Sequence, residues 1–210
     1  MMEAVRDNDI ERLQLLLQLN YQLENTTAPP ALHHAARFGR SHIAQLLINA
    51  KARIDATLQY PYDGIVPETP DNVSENGATA LYTAAKHNHQ DVFQTLLHAK
   101  ANVDFNIDGS SLLIRAINEN DPDAARLLID AKADLEIVEN ASNMNALHIA
   151  SEMGNTNIVE MLIDAKADLN KKVADIEDNE LANKTALRIA MDAEEDDIVQ
   201  ILVAAKASIE

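Results

Sequence analysis

Residues 145–167 read NALHIASEMGNTNIVEMLIDAKA, two short apolar segments separated by a glycine. The run from Leu147 to Ala150 predicts the start of a short helix, and Gly154 interrupts it. The run from Ile158 to Ile163 then has the apolar spacing of a second helix. This stretch therefore predicts two short antiparallel helices joined by a tight turn.

The same pattern recurs along the chain. The tripeptide Ala-Lys-Ala follows the second apolar run in five copies, and a leucine stands nineteen residues before each central lysine. These pairs are Leu32 with Lys51, Leu81 with Lys100, Leu113 with Lys132, Leu147 with Lys166 and Leu187 with Lys206. A sixth, incomplete copy opens the chain, with Asn20 at the lysine position. The spacing indicates a unit of about 32 to 34 residues with two insertions, which is typical of helical repeats.

The recurring residues resemble the ankyrin-repeat family, whose consensus contains Gly-x-Thr-Pro-Leu-His-x-Ala-Ala. The matches are GATALYTAA at 77–85, NALHIA at 145–150, LHHAA at 32–36 and KTAL at 184–187. The resemblance covers nearly the whole chain and implies an all-α ankyrin-repeat solenoid of stacked helix-turn-helix units with β-turn or loop fingers. It implies a single domain, 1–210, with repeats at about 1–27, 28–57, 77–107, 108–139, 143–172 and 183–210, and insertions at about 56–76 and 171–182.

Two departures from the family pattern recur in the copies. The proline after threonine is replaced, mainly by alanine, and lysine stands where the family ends the second helix with glycine. A left-handed position after a helix normally takes Gly or Asn, so lysine there would carry backbone strain. Its charge would partly offset this strain at the negative end of the helix dipole. Alternatively, the helix continues by one residue. We interpret the lysines as a structural property of these repeats and not as an active site.

The composition excludes several classes of function. Apolar residues form 47% of the 210 and aromatic residues only 3%, which favours closely packed helices. The formal charge is −17, with 8 basic against 12 acidic side chains in residues 1–105 and 9 against 22 in residues 106–210. We therefore expect no binding of nucleic acid or of an anionic membrane. No apolar run has the length of a membrane span, no signal peptide is recognisable, and cytoplasm is the expected location.

Metal binding and catalysis are not predicted. Without cysteine, disulfides, thiolate metal sites and cysteine nucleophiles are ruled out. His33 and His148 occupy the family's Leu-His position, where the resemblance implies that the imidazole holds neighbouring turns, and the close-set histidines lack a third ligand at helical spacing. The sequence shows no nucleophile with a base, no paired carboxylates in an apolar pocket and no glycine-rich phosphate loop. We predict that the chain is not an enzyme and has no cofactor.

Two acidic stretches are predicted to be solvated. The run 192–197 lacks the alternate ligands and central glycine of a calcium loop. It falls between two helices, so we expect its carboxylates to cap the second helix and to interact with its dipole. The stretch 175–180 is predicted to be an exposed loop.

The longer insertion is a candidate binding segment. It contains Leu58, Tyr60, Tyr62, Ile65 and Val66, which a solvated linker would not need. Exposed tyrosines in a loop that prolines stiffen are typical of binding hot spots. The alternative is that these residues fold back over the stack as a lid, and both roles are compatible.

The family pattern also predicts a protein-binding concave surface, made by turn tips and the first helices of the repeats. The corresponding residues are Arg37, Phe38, Lys86, His87, Asn118, Glu119, Glu152, Met153, Asp192 and Ala193, with His34, Thr83 and Arg115 one turn earlier. This surface would change from basic, with an aromatic residue, to acidic along the chain. An elongated partner of opposite polarity would be oriented by it.

Three further expectations concern the partner and the end of the chain. Asn170 and the residues before it resemble the stretch that an asparaginyl hydroxylase modifies in ankyrin repeats. The last apolar run, 198–205, predicts either that a partner or a second copy covers this edge or that further sequence follows, and we favour the latter. The partner is expected to be a protein; the rival hypothesis is that the repeats recruit substrates for a longer enzyme or for an effector secreted by an intracellular bacterium.

Overall fold

The structure is a computed structural model that describes residues 2–18, 31–58, 77–174 and 181–208. Within these residues lie twelve α-helices and one two-stranded β-ribbon. They form two compact units, Met1–Phe105 and Asn106–Glu210. The expected all-α architecture of helix-turn-helix pairs is confirmed, whereas the repeat boundaries remain a prediction.

The described residues of the first unit form three helix pairs. They are α1 (Met2–Arg6) with α2 (Ile10–Gln18), α3 (Ala31–Arg37) with α4 (Ser41–Asn49), and α5 (Ala80–Lys86) with α6 (Gln90–His98). We call the first member of each pair the inner helix and the second the outer helix. The inner helix α3 packs against α1 and α5, and the outer helix α4 packs against α6.

In the second unit, the described residues begin with an antiparallel ribbon and continue with three helix pairs. Strands β1 (Asn106–Ile107) and β2 (Ser110–Ser111) pair Asn106 with Ser111 and Ile107 with Ser110. The helix pairs are α7 (Leu112–Asn118) with α8 (Pro122–Asp130), α9 (Ala146–Glu152) with α10 (Thr156–Asp164), and α11 (Ala186–Asp192) with α12 (Asp196–Ala204). The inner helix α9 packs between α7 and α11, and the outer helix α10 packs between α8 and α12.

The repeated leucine lies in the core of the five helix pairs that follow α1 and α2. All five copies, Leu32, Leu81, Leu113, Leu147 and Leu187, are at most 1% exposed. Three residues after each of these leucines lies a fully buried alanine, which lets helices approach closely: these are Ala35, Ala84, Ala116, Ala150 and Ala190. Burial of each leucine contributes about 1.5–3 kcal/mol, so the sequence period sets the packing period.

Side-chain caps begin four of the inner helices. The capping side chains accept hydrogen bonds from the backbone N–H three residues later and belong to Thr79, Ser111, Asn145 and Thr185. Because these bonds satisfy donors that a helix start leaves open, the polar residue before each of these four helices fixes where it begins.

The recurring lysines end the outer helices in the left-handed conformation. Lys51, Lys100, Lys132, Lys166 and Lys206 have φ between 65° and 70°. After α4, Ala52 N–H donates to Leu47 O at 3.0 Å and Lys51 N–H donates to Ile48 O at 2.9 Å. This is the Schellman pattern of a helix end. Of the two alternatives open from the sequence, strained lysine is therefore the one that the structure shows.

At the base of each insertion, backbone hydrogen bonds join the two flanking segments; we call these joined segments the neck. Thr57 pairs with Thr79, and Leu58 exchanges hydrogen bonds with Ala78 O (2.9 Å) and Gly77 N–H (2.6 Å). Tyr60, Tyr62, Ile65 and Val66 lie outside the described residues. In the second unit Val173 bonds with Lys184 and Asn183 in the same way, and the stretch 175–180 lies outside the described residues. The necks let the insertions leave the repeats without disturbing the helix that follows.

Candidate protein-binding surface

The predicted surface of the first unit lies at the carboxyl ends of α3 and α5. We call Arg37, Phe38, Lys86 and His87 the basic face. Arg37 is half-buried and Phe38 is 37% exposed, with its ring stacked on that of His34 at a centroid distance of 6.0 Å. An aromatic ring therefore remains accessible beside a cation.

A histidine links the two helix ends of the basic face. His89 Nε2 is 3.0 Å from the carbonyl oxygen of Arg37, and the ring of His89 stacks on that of His87 at 6.3 Å. Lys86 and His87 are half-buried. Thr83, expected one turn earlier on the same surface, is completely buried and therefore unavailable for contact with a partner.

The corresponding surface of the second unit is partly neutralised. Arg115 and Glu119 form a half-buried ion pair on α7, with Nε and Oε1 3.1 Å apart. Two candidate recognition charges therefore bind each other. Glu152 is exposed, and Met153 is 41% exposed at the end of α9. Met191, which sequence reasoning missed, is 42% exposed on α11.

The acidic run 192–197 differs in part from its prediction. Asp192 binds Lys184 Nζ at 2.9 Å and Arg188 Nε at 3.0 Å, and the hydrogen bond from Lys184 lowers the pKa of this carboxyl. Glu195 occupies the position before α12 without a capping side-chain bond, so side-chain capping was wrong there. Two further acidic residues, Asp196 and Asp197, do lie in the first turn of α12, where the helix dipole favours them.

The prediction that His33 and His148 are structural is confirmed. His33 Nε2 is 2.9 Å from Ala78 O in the next repeat. His148 Nδ1 accepts from Asn145 N–H at 3.3 Å, so Nε2 carries the hydrogen that is donated to Lys171 O at 2.9 Å. Burial lowers the pKa of His148, which favours the neutral ring.

The carboxylate of Glu136 is the centre of a group of hydrogen bonds that the sequence did not reveal. Its carboxylate accepts from Asp168 N–H at 2.8 Å and from Asn145 Nδ2 at 2.9 Å, and it pairs with Lys171 Nζ at 3.3 Å. The repeat register could have indicated this role of Glu136. Asp55 and Asn170 also lie four residues after the repeat lysine, and each accepts a hydrogen bond from a backbone N–H of the next repeat.

Asn170 therefore has a structural contact. Its side-chain oxygen accepts from Ser208 N–H at 2.6 Å, and its own N–H donates to Asp168. The residue is nevertheless exposed.

Shallow cavities are found on the surface of the described residues. A shallow, open cavity of about 260 Å³ lies between α8 and α10, lined by residues that include Arg126, Ile129 and Met161. Among the described residues no three His, Asp or Glu side chains are grouped so that they could hold a metal ion. No helix in the described ranges is long and apolar enough to span a membrane.

The paired helices, capped starts and histidine contacts are those of ankyrin repeats, and the chain belongs to the ankyrin-repeat family. The family model described as "Ankyrin repeats (3 copies)" matches residues 1–108 and 113–210. Ankyrin repeats generally serve as protein–protein interaction modules.

Individual relatives come from a much longer protein. The chain is 32% identical to neurogenic locus notch homolog protein 1 of Xenopus tropicalis over 152 residues, which are 71% of this chain and 5% of that protein. It is 33% identical to the Mus musculus protein of the same name over 139 residues, or 65% of this chain and 5% of that protein. The match thus spans about one-twentieth of the length of these relatives.

Proposed function

We propose that this chain is a non-enzymatic module of the cytoplasm that binds a partner protein through the inner helices of each unit and through the insertion 56–76. The observation that carries the proposal is the shared position of Phe38 and Met153. Each lies six residues after the core leucine of its repeat, and they are 37% and 41% exposed. Large apolar side chains kept accessible at equivalent positions are suited to become buried contacts in a complex.

The charges around Phe38 and Met153 would set the orientation in which a partner protein binds. Arg37 and Lys86 accompany Phe38 in the first unit, whereas Glu152 accompanies Met153 in the second. A partner with the opposite order of charges gains in encounter rate and specificity more than in affinity. Reversing the charge of Arg37 and Lys86 should therefore slow association, and unchanged binding would remove the argument for orientation.

The insertion adds a second contact in the proposal. Tyr60, Tyr62, Ile65 and Val66 support it by composition, and the neck at Leu58 and Gly77 supports it by fixing where the insertion begins and ends. Fixed ends reduce the entropy lost when a segment is ordered by a partner.

Affinity capture from cytosolic lysate, followed by mass spectrometry, tests the proposal. The intact chain is compared with a variant in which Tyr60, Tyr62, Ile65 and Val66 are Ser, and with a variant carrying Phe38→Ser and Met153→Ser. A matched control carries Leu15→Ser, a substitution of an accessible apolar residue on the outer helix α2. A partner lost by the first two variants and kept by the control supports the proposal, and a partner kept by all three counts against it.

A second proposal is that the chain recruits a partner for a longer protein, such as an enzyme or a secreted effector. It is favoured by the small share of the notch relatives that the match covers. The complete gene sequence tests it directly.

A third proposal is that the chain self-associates through Val203, which is 56% exposed on α12. Light scattering over a range of concentrations tests this proposal.

Hydroxylation of Asn170 is a further proposal, supported by its exposure and its family-like sequence context. Incubation with an asparaginyl hydroxylase and peptide mass spectrometry should show the gain of one oxygen atom at Asn170. An unmodified peptide under conditions that modify a known ankyrin substrate would refute it.

A further inference from the structure

We propose that a surface of the second unit binds a basic peptide segment that carries at least one large apolar side chain. We call Glu152, Met153, Glu194 and Glu195 the acidic turn surface. This inference rests on the proposed function, because it names the chemistry that a partner presents to Met153 and its neighbours. It concerns only the unit Asn106–Glu210.

The acidic turn surface is formed by the turns of two successive repeats. Glu152 ends α9 and is followed by Met153 and Gly154, whereas Glu194 and Glu195 lie between α11 and α12. The inner helices α9 and α11 pack against each other, and so do the outer helices α10 and α12. A Cβ placed on Gly154 would lie 2.8 Å from both carboxylate oxygens of Glu195. The carboxylate of one repeat therefore lies directly against the turn that holds Met153 in the repeat before it.

Glu195 occupies the position that a histidine has in the first unit. His89 precedes α6 as Glu195 precedes α12, and each side chain lies against the turn glycine of the preceding repeat. The His89 ring donates from Nε2 to the backbone carbonyl oxygen of Arg37 at 3.0 Å. The residue equivalent to Arg37 is Glu152, and an ionised carboxylate has no hydrogen to donate to its carbonyl oxygen. A partner that brings N–H donors can supply what Glu195 does not.

The three glutamates of this surface have no cation of their own. Within the residues that the structure describes, their side chains form neither a hydrogen bond nor an ion pair, and Glu195 is half-buried while the other two are exposed. Arg188 on α11 and Lys184 just before it both bind Asp192 instead. The surface therefore keeps a negative potential, in a half of the chain that has 22 acidic and 9 basic side chains.

The apolar requirement comes from Met153. Its side chain is 41% exposed and stands between the carboxylates in sequence, directly after Glu152. An unbranched thioether side chain adapts to the shape of an apolar group that packs on it, and removing both from water is favourable. A partner with cations alone would leave Met153 in water.

A basic peptide fits these observations better than a metal ion does. No three His, Asp or Glu side chains of the described residues are grouped so that they could hold a metal ion. The guanidinium of Arg and the ammonium of Lys carry several N–H donors, so one such side chain can bind a carboxylate and a backbone carbonyl oxygen together. The Glu195 carboxylate and the Glu152 carbonyl oxygen are acceptors of these two kinds.

Fluorescence anisotropy with the full chain tests the inference. The probe is a labelled peptide in which Lys and Arg alternate with Leu and Ile; one comparison peptide has Gln in place of the basic residues, and another has Ala in place of Leu and Ile. The basic apolar peptide should bind about tenfold more tightly than either, and its affinity should fall as salt is raised.

Variants with equal charge change locate the binding, because any basic peptide is attracted to a chain of net charge −17. Glu152→Gln with Glu195→Gln should weaken binding about tenfold or more, as expected for charges in direct contact. Asp130→Asn with Glu160→Gln removes the same charge from exposed residues on outer helices of the same unit. This control pair should weaken binding less than about twofold, since solvent and salt screen charges that the peptide does not touch.

Two further variants separate the apolar contact and the missing donor. Met153→Ser, which alters no charge, should weaken binding about fivefold, whereas Leu15→Ser, at an exposed apolar residue of α2, should not. Glu195→His copies the first unit, so its imidazole can donate to the Glu152 carbonyl oxygen; peptide binding should fall about tenfold without a lower melting temperature. Thermal melts monitored by circular dichroism verify that each variant is folded.

Three results would overturn the inference. Equal weakening by the two double variants would show that the peptide responds to the overall charge and not to this surface. Unchanged binding by Met153→Ser would remove the apolar contact. Calorimetric binding of Ca²⁺ without peptide, lost in the Glu152 and Glu195 double variant, would identify a metal site instead. If no peptide binds while a lysate partner is still lost in the Phe38 and Met153 variant, this inference fails and the proposed function stands.

Discussion

His148 and Lys171 are joined by a hydrogen bond in which the imidazole Nε2 donates to the backbone carbonyl oxygen at 2.9 Å. The other ring nitrogen accepts from Asn145 N–H, so the neutral ring connects the start of α9 with the loop that leads to the next repeat. A protonated ring could not accept the second bond. The hydrogen bond from Asn145 N–H therefore depends on the protonation state of the buried His148 ring.

Acidification should destabilise the second unit through His148. Burial lowers the pKa of its imidazole in the folded state below the ordinary value of 6.5, so below that pH the unfolded chain binds more protons than the folded chain. Stability is fully present above the unfolded pKa and is lost as pH falls through 6.5 toward the folded pKa. Urea unfolding between neutral and mildly acidic pH measures this slope.

His148→Gln should flatten that dependence on pH, because it removes the titrating group. His42→Gln is the matched control, since it makes the same substitution at an exposed residue of α4 in the other unit. Identical slopes for the intact chain and His148→Gln would show that other groups cause the acid sensitivity.

Glu136→Ala should destabilise the second unit by about 1–3 kcal/mol, because the donors of Asp168, Asn145 and Lys171 lose their acceptor. Chemical denaturation of this variant and of Glu160→Ala gives the comparison. Glu160 is exposed on the outer helix α10, so its removal should change stability by less than about 0.5 kcal/mol. A loss for Glu136→Ala no larger than that of the control would mean that the cluster adds no stability.

The lysines at helix ends should show the cost of their backbone conformation. Lys166 has φ of 70°, a region that costs a residue with a side chain about 1–2 kcal/mol. Lys166→Gly removes the strain and also a charge worth about 0.3–1 kcal/mol at the helix end, so a small net gain in stability is expected. Lys166→Ala keeps the strain and loses the charge, and should be less stable than both. Thermal unfolding that ranks Ala above Gly would contradict this account.

Two glycines at equivalent turns should differ in their tolerance of alanine. A Cβ at Gly39 would lie 2.7 Å from the His89 ring, which is held by its bond to Arg37 O, whereas a Cβ at Gly154 would meet the Glu195 carboxylate at 2.8 Å. Both substitutions incur left-handed strain, but the carboxylate is the end of a flexible chain and can move. Gly39→Ala should therefore lower the melting temperature more than Gly154→Ala, and the reverse order would show that the ring is not fixed.

Much of the fold followed from one spacing in the sequence. The nineteen residues between leucine and lysine fix an inner helix, a turn and an outer helix, because each apolar run must be buried against its neighbours. The roles of His33 and His148 followed from the resemblance to ankyrin repeats. The conformation of Lys51 and its equivalents did not, since helix continuation and a left-handed end satisfy the sequence equally well.

The surface was less predictable, because it depends on pairs of side chains far apart in the chain. Glu136 meets Asp168 and Lys171, which are more than thirty residues away, and no local pattern brings them together. Thr83 was placed on the surface by helical register, but the packing of its neighbours buries it completely. The pairing of Arg115 with Glu119 was readable from their spacing of four residues, and it limits what either offers to a partner.

Site-specific photocrosslinking tests the central claim, that the chain binds a partner through its inner helices. Benzoylphenylalanine is placed at Phe38 or Met153, and for comparison at Gln94 or Glu160, which are exposed on outer helices. After irradiation in cytosolic lysate, the account predicts that the same protein is crosslinked from Phe38 and Met153 and not from Gln94 or Glu160. Crosslinks formed only from the outer positions would contradict it.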